Sequence, residues 1–506
     1  MNLTRAFWLL AGVFALSHGA GALTLNPRGT GQVLLFPYFT SNKEQQTLIN
    51  IVNTTPEGKA LKVRFREGYN GRDILDLNVF LAPYDVWTPV VFALADAGLS
   101  GSGAAIVVGD NSCTDPSFAA LSTKLPDGRP YQAFRNTNYT GANADTGPVD
   151  DARTREGSFE VIEMGEITGN TLQMITHVNG VPFDCSKVQT ETATIPASDI
   201  AQPAGGLAGS AAIVNAAQGT FFAANAYAID GFRNEAKITL PNDPSPSLAD
   251  ASAGTNQVVT AYVTIGGQGL TLNYPAVQAI DAVSAVLMMD RMSTDWDLSG
   301  AAGASTDLVL TFPTKRYYTD PALLNGMPAI QPFPNRFGAP TASRSDLTFG
   351  YATYDRDGKL LSQLIGVDPP PPAANPGPIG YATQVATFLS GPNDPPGQSL
   401  VLGSHLAAYF PITPVIGGGP TPDFAGVADF DFTQPIGEGH ALRATNEGYA
   451  MQGLPVIGFE AVNYINANVT PGVLANYSGA YPIRGAALCV STNGSNANTA
   501  CPSNFF

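Results

Sequence analysis

Between residues 31 and 92 the apolar runs are short and are cut again and again by turn formers, and this punctuation constrains the fold more than any other feature of the chain. Val33-Leu-Leu-Phe-Pro-Tyr-Phe39 is apolar almost throughout. Leu48, Ile49, Ile51 and Val52 then run into Asn53-Thr-Thr-Pro-Glu-Gly58, whose residues favour a turn and predict a hairpin. Past that turn Leu61, Val63 and Phe65 alternate with Lys62, Arg64 and Arg66. Successive side chains of a strand point to opposite faces, so the apolar set is expected to face a core and the basic set to face water. On that reading Phe65→Ala costs about 3–5 kcal/mol and Arg64→Ala about 0.5 kcal/mol or less. Leu75, Leu77, Val79 and Leu81 repeat the alternation against Asp76, Asn78 and Phe80, and Val86, Trp87, Val90 and Val91 follow a Pro83-Tyr84-Asp85 turn. The expected fold is mainly β, a β-sandwich of Ig-like or jelly-roll-like type with long loops.

Further strands are expected at 159–164, 171–178, 211–214, 221–229, 257–265, 308–312, 347–354, 400–402 and 456–464. Their uneven spacing, in a chain with 53 Gly and 40 Pro, predicts large surface loops rather than tight hairpins throughout. One short helix is expected near 276–292. Pro275 stands at its first turn, Val277, Ile280, Ser284 and Leu287 follow at three- and four-residue steps, and Met288, Met289 and Met292 lie beside them as core filler. The prolines from Pro369 to Pro378 read as a semi-rigid loop or linker. The expected organisation is a signal peptide at 1–22, an N-terminal β-sandwich region at 23–200, and a second β-rich region at 201–506 packed against or interleaved with the first.

The leader rests on Arg5, the apolar run Ala6 to Leu16 and the small residues Ala20-Gly-Ala22, with cleavage expected after Ala22. As a helix that run rises about 16 Å, short of a ~30 Å hydrocarbon core, so it is read as a leader and not as an anchor. No later stretch predicts a transmembrane segment. Export makes oxidation available, and the four cysteines are then read as disulfides. Cys489 and Cys501 flank a polar, turn-forming stretch that closes easily, which leaves Cys113 with Cys185. A zinc site is disfavoured by the absence of CxxC spacing and of nearby histidine. The net charge of −16, with no run of Lys and Arg, argues against nucleic acid as a partner.

Motifs for phosphate binding, dinucleotide binding, HExxH zinc chemistry and a GxSxG elbow are absent from the sequence. Ser404 beside His405 is no Ser-His pair, because neighbours on a strand face apart. Paired carboxylates are the remaining catalytic chemistry, as in glycoside hydrolysis. Asp429 and Asp431 share one face of a strand with Glu438 following, and Glu160 and Glu163 sit in Phe159-Glu-Val-Ile-Glu-Met164. Such spacings are common on wet sheet faces, and no catalytic residue and no cofactor is assigned. Asp355 and Asp357, in Tyr354-Asp-Arg-Asp-Gly-Lys359, resemble part of a calcium loop, although Asp-Gly fits a hairpin bend better. Arg64 and Arg66, with Tyr84 and Trp87, are the candidates for an aromatic and polar surface that takes glycans; the plainer alternative puts Trp87 in the core.

Leu35-Phe-Pro-Tyr38, Ile51-Val-Asn-Thr-Thr55, Val63-Arg-Phe-Arg-Glu-Gly68, Asp85-Val-Trp-Thr88, Arg155-Glu-Gly157, Glu163-Met-Gly165 and Thr311-Phe-Pro-Thr-Lys315 resemble segments of an uncharacterised family of secreted β-rich proteins of proteobacteria, with a weaker echo at Gly458-Phe-Glu460. The resemblance implies export and one integrated β unit, and it carries no catalytic residue. The expected function is that of a secreted or cell-surface β-protein, the periplasm being the other location, with a structural or adhesive role and surface glycans or its own copies as partners. The alternatives are a carbohydrate-active enzyme using paired carboxylates and an extracellular module that binds glycans or solutes.

Overall fold

Val33–Thr40 has no polar face, and both of its faces are buried. It is a central strand of an antiparallel sheet ordered Thr24–Leu25, Tyr227–Asp230, Val33–Thr40, Glu156–Ile167, Gly58–Glu67, Asp73–Leu81, Cys113–Asp115. The computed structural model in which this is seen describes residues 21–189, 195–255, 257–325, 327–339, 341–364, 379–390, 397–412, 425–433, 440–466, 475–492 and 499–502. All but the last two residues of the expected leader, the proline-rich segment and Glu438 lie outside them.

Phe65 is paired with Leu75 on one side and Phe159 on the other, and its ring stacks on that of Phe159 at 4.8 Å. Leu61, Val63 and Phe65 all enter one core, as the alternation predicts. A second sheet closes it from the other side, ordered Tyr131–Ala133, Ala104–Val108, Pro89–Ala93, Gln46–Asn53, Leu207–Asn215, Thr220–Asn225. Trp87 is fully buried there. Strands from both sides of residue 200 therefore share this core. The fold is mainly β, and the cysteines pair as expected, with Cα–Cα separations of 5.3 Å for Cys113–Cys185 and 5.5 Å for Cys489–Cys501.

The opposite face of Gly58–Glu67 corrects the sequence reading. Lys62, Arg64 and Arg66 do not face water: each is at most 4% exposed, and Lys59, which alternation puts on the side of Leu61 and Val63, is fully buried as well. Asp76, Asn78 and Phe80 on the neighbouring strand are buried too. The segment that follows Asp230 crosses this face and caps it with main-chain oxygens. Lys62 donates to the carbonyls of Leu240 and Pro241, and Arg64 donates to those of Pro246 at 3.0 Å and Asp243 at 2.9 Å. Carboxylates fill the remaining positions, with Lys59–Glu163 at 2.9 Å, Arg64–Asp76 at 2.6 Å and Arg66–Glu160 at 2.7 Å. The expected pair Glu160 and Glu163 is thus consumed by buried ion pairs. Lys62 has no carboxylate among these hydrogen bonds, and burial, reinforced by the charge of Arg64, pushes its ammonium down to about 8.

A second pair of sheets stacks on the first. One is ordered Ala407–Ile412, Thr383–Ser390, Ala304–Thr311, Ile457–Asn466, Ala475–Pro482; the other Leu360–Leu364, Gly350–Asp355, Ala425–Asp431, Arg291–Asp297, Arg484–Ala486. Leu308 and Leu310 face the core between these two sheets, whereas Val309 faces Tyr38, Ile213 and Phe222 of the first pair. Ala304–Thr311 is covered on both sides as a result. Polar ties cross the same junction: Arg72 pairs with Asp320 at 2.8 Å and Arg316 with Asp73 at 3.0 Å. Buried Glu156 accepts from the hydroxyls of Tyr38 and Ser404 and from the N–H of His405.

Three expected elements take other forms. Residues 400–402 form a turn, because the N–H groups of Val401 and Leu402 go to the buried carboxylate of Asp307 at 3.0 and 2.8 Å instead of to a ladder. Within 171–178 the chain is first a helix, Gly169–Ile175, whose early N–H at Thr171 is taken by Asp199 at 2.9 Å, and only His177–Val178 is extended. The helix expected over 276–292 is shorter, a 3-10 turn Ala276–Gln278 and an α-helix Ala279–Ala285. From Arg291 the period is two: Met292, Thr294 and Trp296 turn inward while Arg291 and Asp295 turn out, so the chain continues as strand. Met288 and Met292 are core residues. Among the described residues no helix is long and apolar enough to cross a membrane.

Two measurements test this interior. Denaturant unfolding should find Arg64→Ala about as damaging as Phe65→Ala, each costing about 3–5 kcal/mol, because the first strands buried carboxylates and the second opens a cavity. Lys315 is 2% exposed and donates to the carbonyls of Ser345 at 2.9 Å and Tyr381 at 3.3 Å; burial pushes its ammonium down to about 7. A lowered lysine value means stability that is present above the unfolded value of 10.5 and lost as the pH falls through about 7. Wild type should therefore gain stability relative to Lys315→Met as the pH rises from about 7 to about 9. A pH-independent difference in melting temperature between the two would contradict it.

Candidate functional site

Arg291–Asp297 is hydrogen-bonded along its whole length to Ala425–Asp431 on one edge, but on its other edge only Arg291–Ser293 is paired, to Arg484–Ala486. Beyond Ser293 that edge is free of a ladder among the described residues, and the two sheets of the second pair part there. A cleft of about 530 Å³ occupies the gap. Its floor is Glu460, reaching over from Ile457–Asn466 in the facing sheet and only 6% exposed. The Glu460 carboxylate accepts the Thr294 hydroxyl at 2.6 Å and also the N–H of Asp295.

Register sets what surrounds it. Glu460 lies opposite Tyr481, and Tyr464 opposite Tyr477, on the adjoining edge strand Ala475–Pro482. Glu460, Val462 and Tyr464 on one strand, and Tyr477, Gly479 and Tyr481 on the other, accordingly share one face of the sheet. Tyr481, which lines the cleft, is 54% exposed, and Tyr477, outside its lining, is 66% exposed. Asp297 accepts from the Tyr464 hydroxyl at 3.4 Å. Asp355 and Arg356, from the turn after Gly350–Asp355, and Arg484 complete the walls. Trp296 is 2% exposed, lines the cleft, and has an indole N–H without a partner among the described residues.

Burial pushes the Glu460 carboxyl up to about 7; the Thr294 hydrogen bond works against this and the negative charge of Asp295 adds to it. The floor of the cleft is thus a carboxyl that exchanges its proton near neutrality, able to donate or accept toward a hydroxyl, and it is flanked by amphipathic phenol rings.

The residues singled out from the sequence are distributed elsewhere. Arg64 and Arg66 lie on the buried charged face, Trp87 in the core on the other side of the same sheet, and Tyr84 is exposed at a turn with φ of 58°. They do not form one surface. Asp355 accepts the N–H groups of Asp357 and Lys359 at 3.0 and 2.8 Å, which makes this segment a hairpin turn, and among the described residues no group of three or more His, Cys, Asp or Glu is placed to hold a metal ion. Asp429 accepts from Ser293 and Asp431 from Thr433 and Arg291, and neither lines the cleft. Sequence reading passes over Glu460, Asp295, Asp297 and Tyr481 as site residues. One signal was available: Tyr477-Ser-Gly-Ala-Tyr481 has the period of an aromatic strand face.

Compared with protein-family models, with curated proteins and with solved structures, the chain matches none.

The titration of Glu460 carries a sign. Its folded value lies above the ordinary 4.5, so the stability it lends is complete below that pH and is lost as the pH rises through about 7. Scanning calorimetry should show Glu460→Gln gaining on wild type between about pH 5 and about pH 8. A gap of constant size would mean that this carboxyl is not perturbed.

Proposed function

We propose that the protein is exported and binds carbohydrate in this cleft, an adhesive role rather than a catalytic one. The observation that carries the reading is the combination at one sheet edge of a buried carboxyl, Glu460, at the floor and an exposed tyrosine, Tyr481, at the rim. A sugar ring has apolar faces fringed by hydroxyl groups. Phenol rings match the faces, and carboxylates match the hydroxyls through charge-assisted hydrogen bonds. Export is supported by the apolar run behind Arg5, by the resemblance to secreted β-rich proteins and by two disulfides, which persist in oxidising surroundings.

A second reading, glycoside hydrolysis, is favoured by one observation: Glu460 holds its proton up to about 7 in a cleft that a second acid, Asp295, also lines, and that reaction uses two carboxyl groups. Purified protein offered immobilised and soluble oligosaccharides separates the two. Retention without new reducing ends, weakened about tenfold by Glu460→Gln, is the outcome expected of a binder. Release of reducing ends that Glu460→Gln abolishes selects the enzyme, and neither retention nor release overturns both.

A further inference from the structure

The edge strand Ala475–Pro482 carries more aromatic surface than the cleft needs. A methyl group placed on Gly479 would lie 3.2 Å from the Tyr481 hydroxyl and 3.3 Å from its Cζ. The Tyr481 ring therefore lies down along its own strand over a residue that has no side chain, and it still leaves half of its surface exposed. A side chain at 479 would press on the ring and require it to shift by a few tenths of an ångström. Tyr477 stands on the same face four residues away, about 13 Å along an extended chain, and is more exposed still. Two exposed rings on one face, one of them laid flat beside the floor carboxyl, make a track that leads out of the cleft. Ser478, on the opposite face, fixes this edge from behind: its hydroxyl bonds the N–H of Phe221 at 2.7 Å and faces the Phe221 carbonyl at 3.2 Å, joining the edges of two sheets.

We infer that the ligand is an extended glycan chain, with one sugar in the cleft at Glu460 and the following sugars stacked along Tyr481 and Tyr477. This rests on the carbohydrate reading and adds to it a chain-length requirement and a second contact region. A compact monosaccharide or small solute would use the floor and leave Tyr477 idle. An extended chain of several sugars spans from Glu460 to Tyr477 in one conformation, and each ring it passes adds a sequence-tolerant stacking contact.

Titration calorimetry with di- and hexasaccharides of the cello, chito and malto series tests it. Wild type should bind the hexasaccharide of the accepted series about tenfold more tightly than the disaccharide. Tyr477→Ala, at a site exposed enough to leave the fold intact, should abolish that preference and leave disaccharide binding unchanged. Glu460→Gln should weaken both lengths. If Tyr477→Ala binds the hexasaccharide as wild type does, the track is overturned while the cleft stands. If no glycan of either length binds wild type, the carbohydrate reading fails and takes this inference with it.

Discussion

A cation inside a protein needs acceptors for the donors it carries, and Lys59 together with the row Lys62, Arg64 and Arg66 imposes that demand four times on one strand. Glu160, Glu163 and Asp76 come from the neighbouring strands, and the chain after Asp230 folds back to supply carbonyl oxygens. Covering this face makes the first sheet a middle layer. Asp73, beside the row, also accepts from Arg316 in the second half of the chain, and Arg72 reaches Asp320 there. Although burial works to raise it, the Asp73 carboxyl is held below its ordinary range by Arg66, Arg316 and Arg64. The packing of the two halves is therefore tied to the same electrostatic requirement that shapes the first.

The sequence showed which side chains share a face and misjudged what covers each face. Alternation placed Leu61, Val63 and Phe65 together correctly, because a strand's period is a local property of the backbone. Whether Lys62 and Arg64 meet water depends on a segment nearly 180 residues later, at separations of 179 for Lys62 to Pro241 and 182 for Arg64 to Pro246. Nothing local reports that. The same division explains 400–402, where an apolar triplet is bent by a carboxylate from Asp307, at separations of 94 and 95 residues. The disulfides were legible for the opposite reason: Cys489 and Cys501 are 12 residues apart, and settling that pair settles the other.

The cleft was hidden because it is made by an incomplete pairing. The chain crosses from the edge of one sheet at Pro482 to the edge of the other at Arg484, and the short strand that follows covers Arg291–Ser293 and no more. Asp295 is left with a main-chain N–H on an unpaired edge, beside the side-chain hydroxyl of Thr294. Glu460 answers them from across the gap and so protects an edge that would otherwise invite another strand. A residue that seals a sheet edge and a residue that floors a binding cleft are here the same carboxyl, supplied by a segment some 165 residues from its partner.

The cover over the cation row has an evolutionary corollary. Lys62 and Arg64 are held through the carbonyls of Leu240, Pro241, Asp243 and Pro246, and a carbonyl belongs to every amino acid alike. Selection on that segment acts on the path of its backbone and only weakly on the letters that spell it. Among descendants of this chain the basic strand would be preserved residue by residue, while the segment that shields it drifts in composition and resists only deletion.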